Sequence, residues 1–126
     1  MIGRIAEAVA WAWLAWHAGA SATPAWAHAF PERSQPRVGS TIDQPPPEVR
    51  IWFDGRLEPL FSTITVVDQQ AHRVGGEQGG VDADDATQLA TPLPPLPPGV
   101  YRVRWDVIAV DGHRTEGNFT FTIRGP

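Results

Sequence analysis

The sequence predicts an all-β domain, a Greek-key sandwich of about seven strands, on three observations. Apolar and polar residues alternate along several segments from Val49 onward, as they do in strands with one buried face. Turns rich in Gly and Pro separate these segments. No stretch of this region repeats its apolar residues with the 3.6-residue period of a helix. The architecture is similar to that of immunoglobulin-like domains.

Four segments carry the strand pattern. The alternating apolar residues are Val49, Ile51 and Phe53, then Ile64 and Val66, then Tyr101, Val103, Trp105 and Val107, and finally Phe119, Phe121 and Ile123. Polar residues fill the alternate positions of the last two segments, so their apolar residues are predicted to face the core. We expect these two segments to form a hairpin joined by residues 111–117 and to dominate the core.

The middle of the chain is predicted to connect the early and late strands. Residues 75–80 contain two Gly pairs, residues 82–85 are acidic, and residues 92–98 are rich in proline. Proline cannot donate a hydrogen bond to a neighbouring strand, which excludes a central strand from the proline-rich stretch.

The first 27 residues have the features of a secretory signal. Arg4 precedes an apolar run over residues 8–16, and Ala25-Trp26-Ala27 ends the segment. The run is short for a membrane span, which needs about 20 apolar residues. We expect cleavage after Ala27, export to the periplasm, and a mature domain of residues 28–126. The alternatives are cleavage after Ala22 and an uncleaved anchor.

Composition limits the kinds of ligand that the chain can bind. Cysteine is absent and the only methionine is Met1, so soft donors for Cu(I) are missing and a metal site must use nitrogen and oxygen. The ten basic residues are all arginine and lie scattered through a chain of net charge −4. We therefore expect no nucleic-acid partner.

Two histidines are candidate metal ligands. His28, as the first residue of the mature chain, would offer both a free amine and an imidazole to one ion. His113 follows Asp111 and Gly112, a spacing that can turn a carboxylate and an imidazole toward one point; an Asp-Gly hairpin turn with a solvated histidine is the alternative. His72 has no histidine or acidic neighbour at ligand spacing and is interpreted as a surface residue. Amine, imidazole and carboxylate donors together suit a tetragonal Cu(II) ion.

Several motifs, taken in order, resemble the CopC copper-resistance family. They are His28-Ala29-Phe30, Ser34-Gln35-Pro36, Gly39-Ser40, Ile51-Trp52-Phe53, Leu57-Glu58-Pro59-Leu60-Phe61-Ser62, Leu96-Pro97-Pro98-Gly99-Val100-Tyr101, Val110-Asp111-Gly112-His113 and Gly117-Asn118-Phe119-Thr120-Phe121. The resemblance covers nearly the whole predicted mature chain.

The resemblance implies a cupredoxin-like or immunoglobulin-like sandwich that carries copper and is not an enzyme. It implies one Cu(II) ion bound by the amine and imidazole of His28, the carboxylate of Asp111 and the imidazole of His113, with a CopD-type inner-membrane copper transporter as partner. Some members add a glutamate where this chain has Gly55, and Asp54 is shifted from that position by one residue. The methionine-rich Cu(I) site of other members is absent from this sequence.

Two other functions fit parts of this pattern. An N-terminal histidine paired with a second histidine is also the copper motif of lytic polysaccharide monooxygenases, although a carboxylate from Asp111 would disfavour reduction to Cu(I). Peroxide production in the presence of ascorbate would identify such an oxygenase. A metal-free immunoglobulin-like envelope module is the other alternative, and it would take up no Cu(II).

Overall fold

Nine strands and one short 3-10 helix occur among residues 29–125, the part of the chain that this computed structural model describes. The strands are β1 (Pro31–Gln35), β2 (Thr41–Ile42), β3 (Glu48–Phe53), β4 (Thr63–Val67), β5 (Arg73–Gly75), β6 (Gly80–Val81), β7 (Gln88–Pro92), β8 (Gly99–Ile108) and β9 (Arg114–Ile123). The 3-10 helix, Pro59–Phe61, lies between β3 and β4. The predicted all-β class is confirmed.

The strands form two sheets. One has the order β1-β3-β7-β6, and the other has the order β2-β9-β8-β4-β5. Strand pairs are antiparallel except for β2 and β9, which run parallel. Non-consecutive strands therefore lie side by side in both sheets, as expected of a sandwich with crossing connections.

The core lies between the sheets and consists of the inward side chains of both. Val49 and Ile51 of β3 and Val103, Val107 and Phe121 of the β8–β9 pair are fully buried. Phe121 stacks on Tyr101 of the neighbouring strand, with ring centroids 5.6 Å apart. The strand faces predicted for all four segments are confirmed.

The β8–β9 hairpin is longer than predicted. Its connecting loop is residues 109–113, because β9 begins at Arg114, and residues 114–117 belong to the strand. Gly117 lies opposite Trp105, and a Cβ on Gly117 would be 2.5 Å from the Cζ2 atom of that indole. Gly117, which was expected to end the loop, is thus a strand residue, and the Trp105 ring lies over it.

Three of the strands lie in the region predicted to be only connections, and two precede the first predicted strand. β5 and β6 are short edge strands, whereas β7 is a central strand between β3 and β6. β7 ends at Pro92, the first residue of the proline-rich stretch, and only residues 93–98 of that stretch are free of strands, so the prediction is wrong for Pro92 alone. β1 is a polar edge strand that buries only Ser34, which explains why no alternation revealed it.

Within residues 29–125, no helix is both long and apolar enough to cross a bilayer. The predicted signal segment, residues 1–27, lies outside the described residues.

Replacing Trp105 by alanine is expected to lower the free energy of unfolding by about 3 kcal/mol. The indole is half-buried and meets the Phe53 ring edge to face, with centroids 5.3 Å apart, so its removal leaves a cavity at one end of the core. Urea denaturation would measure the change. Trp52→Ala is the matched control, because Trp52 lies on the outer face of β3 against Arg33 and its loss should cost only about 1 kcal/mol. Equal losses in the two variants would contradict the assigned faces.

Candidate metal centre

The β8–β9 loop holds Asp111 and His113 in a tight turn. The N–H of Ala109 donates to the carbonyl of His113 at 2.9 Å, and the N–H of Gly112 donates to the carbonyl of Ala109 at 2.8 Å. Gly112 has a φ of +92°, a conformation that residues with a Cβ rarely adopt. The glycine between the two predicted ligands is therefore needed for the turn that brings them together.

Asp111 and His113 form a close pair. Asp111 Oδ1 accepts a hydrogen bond from the backbone N–H of His113 at 3.0 Å and lies 3.3 Å from His113 Nδ1. The Asp111 side chain is 18% exposed and that of His113 is 54% exposed. Two donor atoms adjacent on one metal, each about 2.0–2.1 Å from it, are separated by about 2.8–3.0 Å. The 3.3 Å separation of these two atoms is therefore close to that of two ligand atoms on one ion.

The segment after β3 is hydrogen-bonded to the residues where β8 leads into the loop. Glu58 N–H donates to the carbonyl of Ile108 at 2.7 Å, and Val110 N–H donates to the carbonyl of Arg56 at 3.0 Å. Between these bonds, Leu57 forms an isolated antiparallel bridge with Ala109, and both side chains are buried. The loop that carries Asp111 and His113 is therefore fixed to the core at its base.

The first described residues are anchored beside the same loop. Ala29 is 1% exposed, and its carbonyl accepts a hydrogen bond from Thr115 Oγ1 at 2.8 Å. The N–H of Phe30 donates to Asp54 Oδ1 at 2.7 Å, and the N–H of Asp54 donates to the carbonyl of Phe30 at 2.9 Å. A Cβ on Gly55 would be 3.5 Å from the Cβ of Ala29. The residue that follows His28 is thus held between the β3 end and the start of β9.

The structure places two of the three predicted ligands together. Asp111 and His113 are in contact, whereas His28 lies outside the described residues. Within residues 29–125, no group of three or more His, Cys, Asp or Glu side chains lies close enough to hold a metal ion.

His72 is exposed, as predicted, but it has an acidic neighbour that its sequence spacing did not suggest. Its Nδ1 lies 3.6 Å from Asp68 Oδ2. The two residues flank the turn after β4, whose last residue, Val67, pairs with Arg102 near the start of β8. Six strand residues, about 20 Å, separate Arg102 from the end of β8 that carries the Asp111 loop.

Exposed apolar side chains occur in the Asp111 loop and in the segment after β3 that is hydrogen-bonded to it. Leu60 is 89% exposed, Phe61 61% and Val110 57%, and Phe30 is half exposed beside Asp54. The hydrogen bonds from Glu58 and Val110 bring these residues to one end of the sandwich. Large apolar side chains that are exposed close together are typical of a contact face for another protein.

Sequence analysis missed the residues that anchor the N-terminal segment. Asp54 was considered only as a shifted counterpart of a ligand, but its carboxylate binds a backbone N–H instead. Thr115 was assigned to a loop, whereas it is a strand residue. It bonds to a residue 86 positions earlier in the chain.

Comparison with known proteins identifies the family of this fold. The model of the CopC domain matches residues 31–124. The protein YobA from Escherichia coli K12 is 31% identical over 100 residues, which are 79% of this chain and 81% of YobA. The copper transport protein CutJ from Bacillus subtilis is 30% identical over 99 residues, 78% of this chain but only 18% of CutJ.

Solved structures give the same result. CopC from Methylosinus trichosporium OB3b superposes with a TM-score of 0.71 at 30% identity, covering 76% of this chain and 93% of that one. PcoC, a methionine-rich copper resistance protein from Escherichia coli, superposes with a TM-score of 0.61 at 26% identity, covering 77% of this chain and 99% of its own. The chain belongs to the CopC family.

Proposed function

We propose that the mature chain, residues 28–126, is a periplasmic protein that binds one Cu(II) ion for copper carriage or resistance. The ion is bound by the amine and imidazole of His28, the carboxylate of Asp111 and the imidazole of His113. Cleavage of residues 1–27 after Ala27 creates the free amine. The protein acts as a carrier and not as an enzyme.

The anchoring of Ala29 is the observation that carries this proposal. Its carbonyl accepts a hydrogen bond from Thr115. Thr115 is two residues along the chain from His113, a separation of about 6.6 Å in extended backbone. Consecutive Cα atoms are about 3.8 Å apart, so the residue before Ala29 is expected close to the Asp111 loop. The missing donors are thus expected within reach of the two that are described.

The donor set suits Cu(II). Two imidazoles, an amine and a carboxylate supply nitrogen and oxygen atoms to a tetragonal ion, while the absence of cysteine and of any methionine beyond Met1 leaves Cu(I) without soft ligands. The names of two relatives, the copper resistance protein PcoC and the copper transport protein CutJ, support copper as the cargo.

A CopD-type inner-membrane copper transporter is the proposed partner. The resemblance to CopC proteins suggests it, and the matched region of CutJ is part of a much longer copper transport protein. Leu60, Phe61 and Val110 are exposed, and they belong to the loop of Asp111 or to the segment hydrogen-bonded to it. This surface is where a copper acceptor would contact the protein.

The intact mass of the exported protein, with and without Cu(II), tests the start of the chain and the stoichiometry together. The expected mass is that of residues 28–126, increased by one copper ion after metal is added. The matched control begins at Ala29 and should lose most of the copper under the same spray conditions. A chain that begins at Thr23 or retains residues 1–27 would contradict the terminal site.

A further inference from the structure

We propose that Asp54 and Thr115 are positioning residues that aim the amino terminus at the metal. Neither side chain binds copper. Each holds the backbone directly after His28, and together they orient the residue whose amine and imidazole must bind simultaneously. This inference rests on the proposed function, because it concerns the same terminal site.

Asp54 forms two hydrogen bonds with the backbone of Phe30. Its carboxylate accepts the Phe30 N–H at 2.7 Å, and its own N–H donates to the Phe30 carbonyl at 2.9 Å. Asp54 directly follows β3, whose neighbouring residue Phe53 is buried in the core. The position of Phe30 is therefore determined by the rigid end of a core strand.

Thr115, in the other sheet, holds Ala29, the residue before Phe30. Its position pairs with Val107 and belongs to the inward face of β9, where the other residues except Gly117 are apolar. Valine would fill nearly the same volume, but it could not donate the 2.8 Å hydrogen bond to the Ala29 carbonyl. Packing at this position does not require a hydroxyl group. The Thr115 hydroxyl group instead bonds the N-terminal segment.

The two anchors come from different sheets and meet at adjacent residues, Ala29 and Phe30. A chelate formed by two groups of a terminal residue requires that residue to be ordered, and ordering the backbone of one free residue reduces a binding constant about tenfold. When the following backbone is already held, this loss is smaller. Removing one anchor should therefore weaken copper binding without removing a ligand.

The test uses protein that begins at His28 and measures the Kd for Cu(II) by competition with a chelator of known affinity. Asp54→Ala and Thr115→Val should each weaken binding about tenfold, which corresponds to about 1.4 kcal/mol. The conservative variants Asp54→Asn and Thr115→Ser retain an acceptor oxygen and a hydroxyl group, so they should preserve most of the affinity. A long-range charge effect of Asp54 would instead be lost in Asp54→Asn.

Matched controls lie at the opposite end of the sandwich. Asp43→Ala removes an exposed carboxylate whose neighbour is Arg124, and Thr122→Val makes the same Thr-to-Val change at the other end of β9. Both should leave the Kd unchanged. Hydrogen exchange of the Phe30 amide should accelerate in Asp54→Ala and not in Asp43→Ala, which reports on the anchor independently of copper.

A second background separates this inference from the proposed function. In protein whose terminal amine is acetylated, Asp54→Ala and Thr115→Val should have little further effect, because the chelate they position is already lost. Equal tenfold losses in both backgrounds, or no loss in the free-amine protein, would overturn the positioning role. If acetylation itself leaves the Kd unchanged, the terminal site of the proposed function is wrong.

Discussion

Alanine at Asp111 or at His113 is expected to weaken Cu(II) binding by about a hundredfold or more, since each variant lacks one of the proposed donor groups. Both residues lie in the loop between β8 and β9, outside the buried core. The loop also keeps its bonds between Ala109 and both Gly112 and His113. The free energy of unfolding should therefore fall by less than about 1 kcal/mol.

His72→Ala is the matched control for this experiment. His72 is also an exposed histidine beside a carboxylate, 3.6 Å from Asp68, but it lies at the other end of β8. Its replacement should change neither the Kd nor the Cu(II) visible spectrum. Unchanged binding in both Asp111→Ala and His113→Ala would remove the hairpin loop from the metal site, whatever the control shows.

Alternation revealed the strands that have one apolar and one polar face. β8 follows this rule over residues 101–107 and β9 over residues 118–123, so both their existence and their inward faces could be predicted. β7 could not be recognised, because its buried residues are only Leu89 and Thr91 and the strand ends at a proline. Its place in the sheet is determined by pairing with β3, which is a long-range property of the fold.

The same distinction applies to the candidate site. Asp111 and His113 are two residues apart, so a local motif could indicate their pairing, and the structure places them in contact. Asp54 and Thr115 act through backbone groups 24 and 86 residues away, and no sequence pattern marks such bonds. The Asp111–His113 pair was predictable from residue chemistry and spacing, whereas the hydrogen bonds of Asp54 and Thr115 to the N-terminal segment required the folded chain.

Blocking the amine of His28 is expected to produce the other large effect on copper binding. The sequence contains no lysine, since all ten of its basic residues are arginine. The α-amine is therefore the only primary amine in the proposed mature chain, and acetylation can be directed to it. An acetylated terminus is an amide that keeps the imidazole, the loop ligands and the fold but cannot form the amine–imidazole chelate.

Acetylation should weaken Cu(II) binding by about a hundredfold and change the Cu(II) visible and EPR spectra, because a nitrogen donor is lost from the ion. The denaturation midpoint of the metal-free protein should not change. The control is a chain beginning at Ala29, also acetylated, in which blocking the amine should have little effect on an affinity that is already low. Binding to the free-amine protein should also weaken as the pH falls below about 8, since an α-amine near its usual pKa must release a proton to bind metal. Identical affinity and spectra for the free and acetylated His28 proteins would exclude the terminal chelate, even if copper still bound at Asp111 and His113.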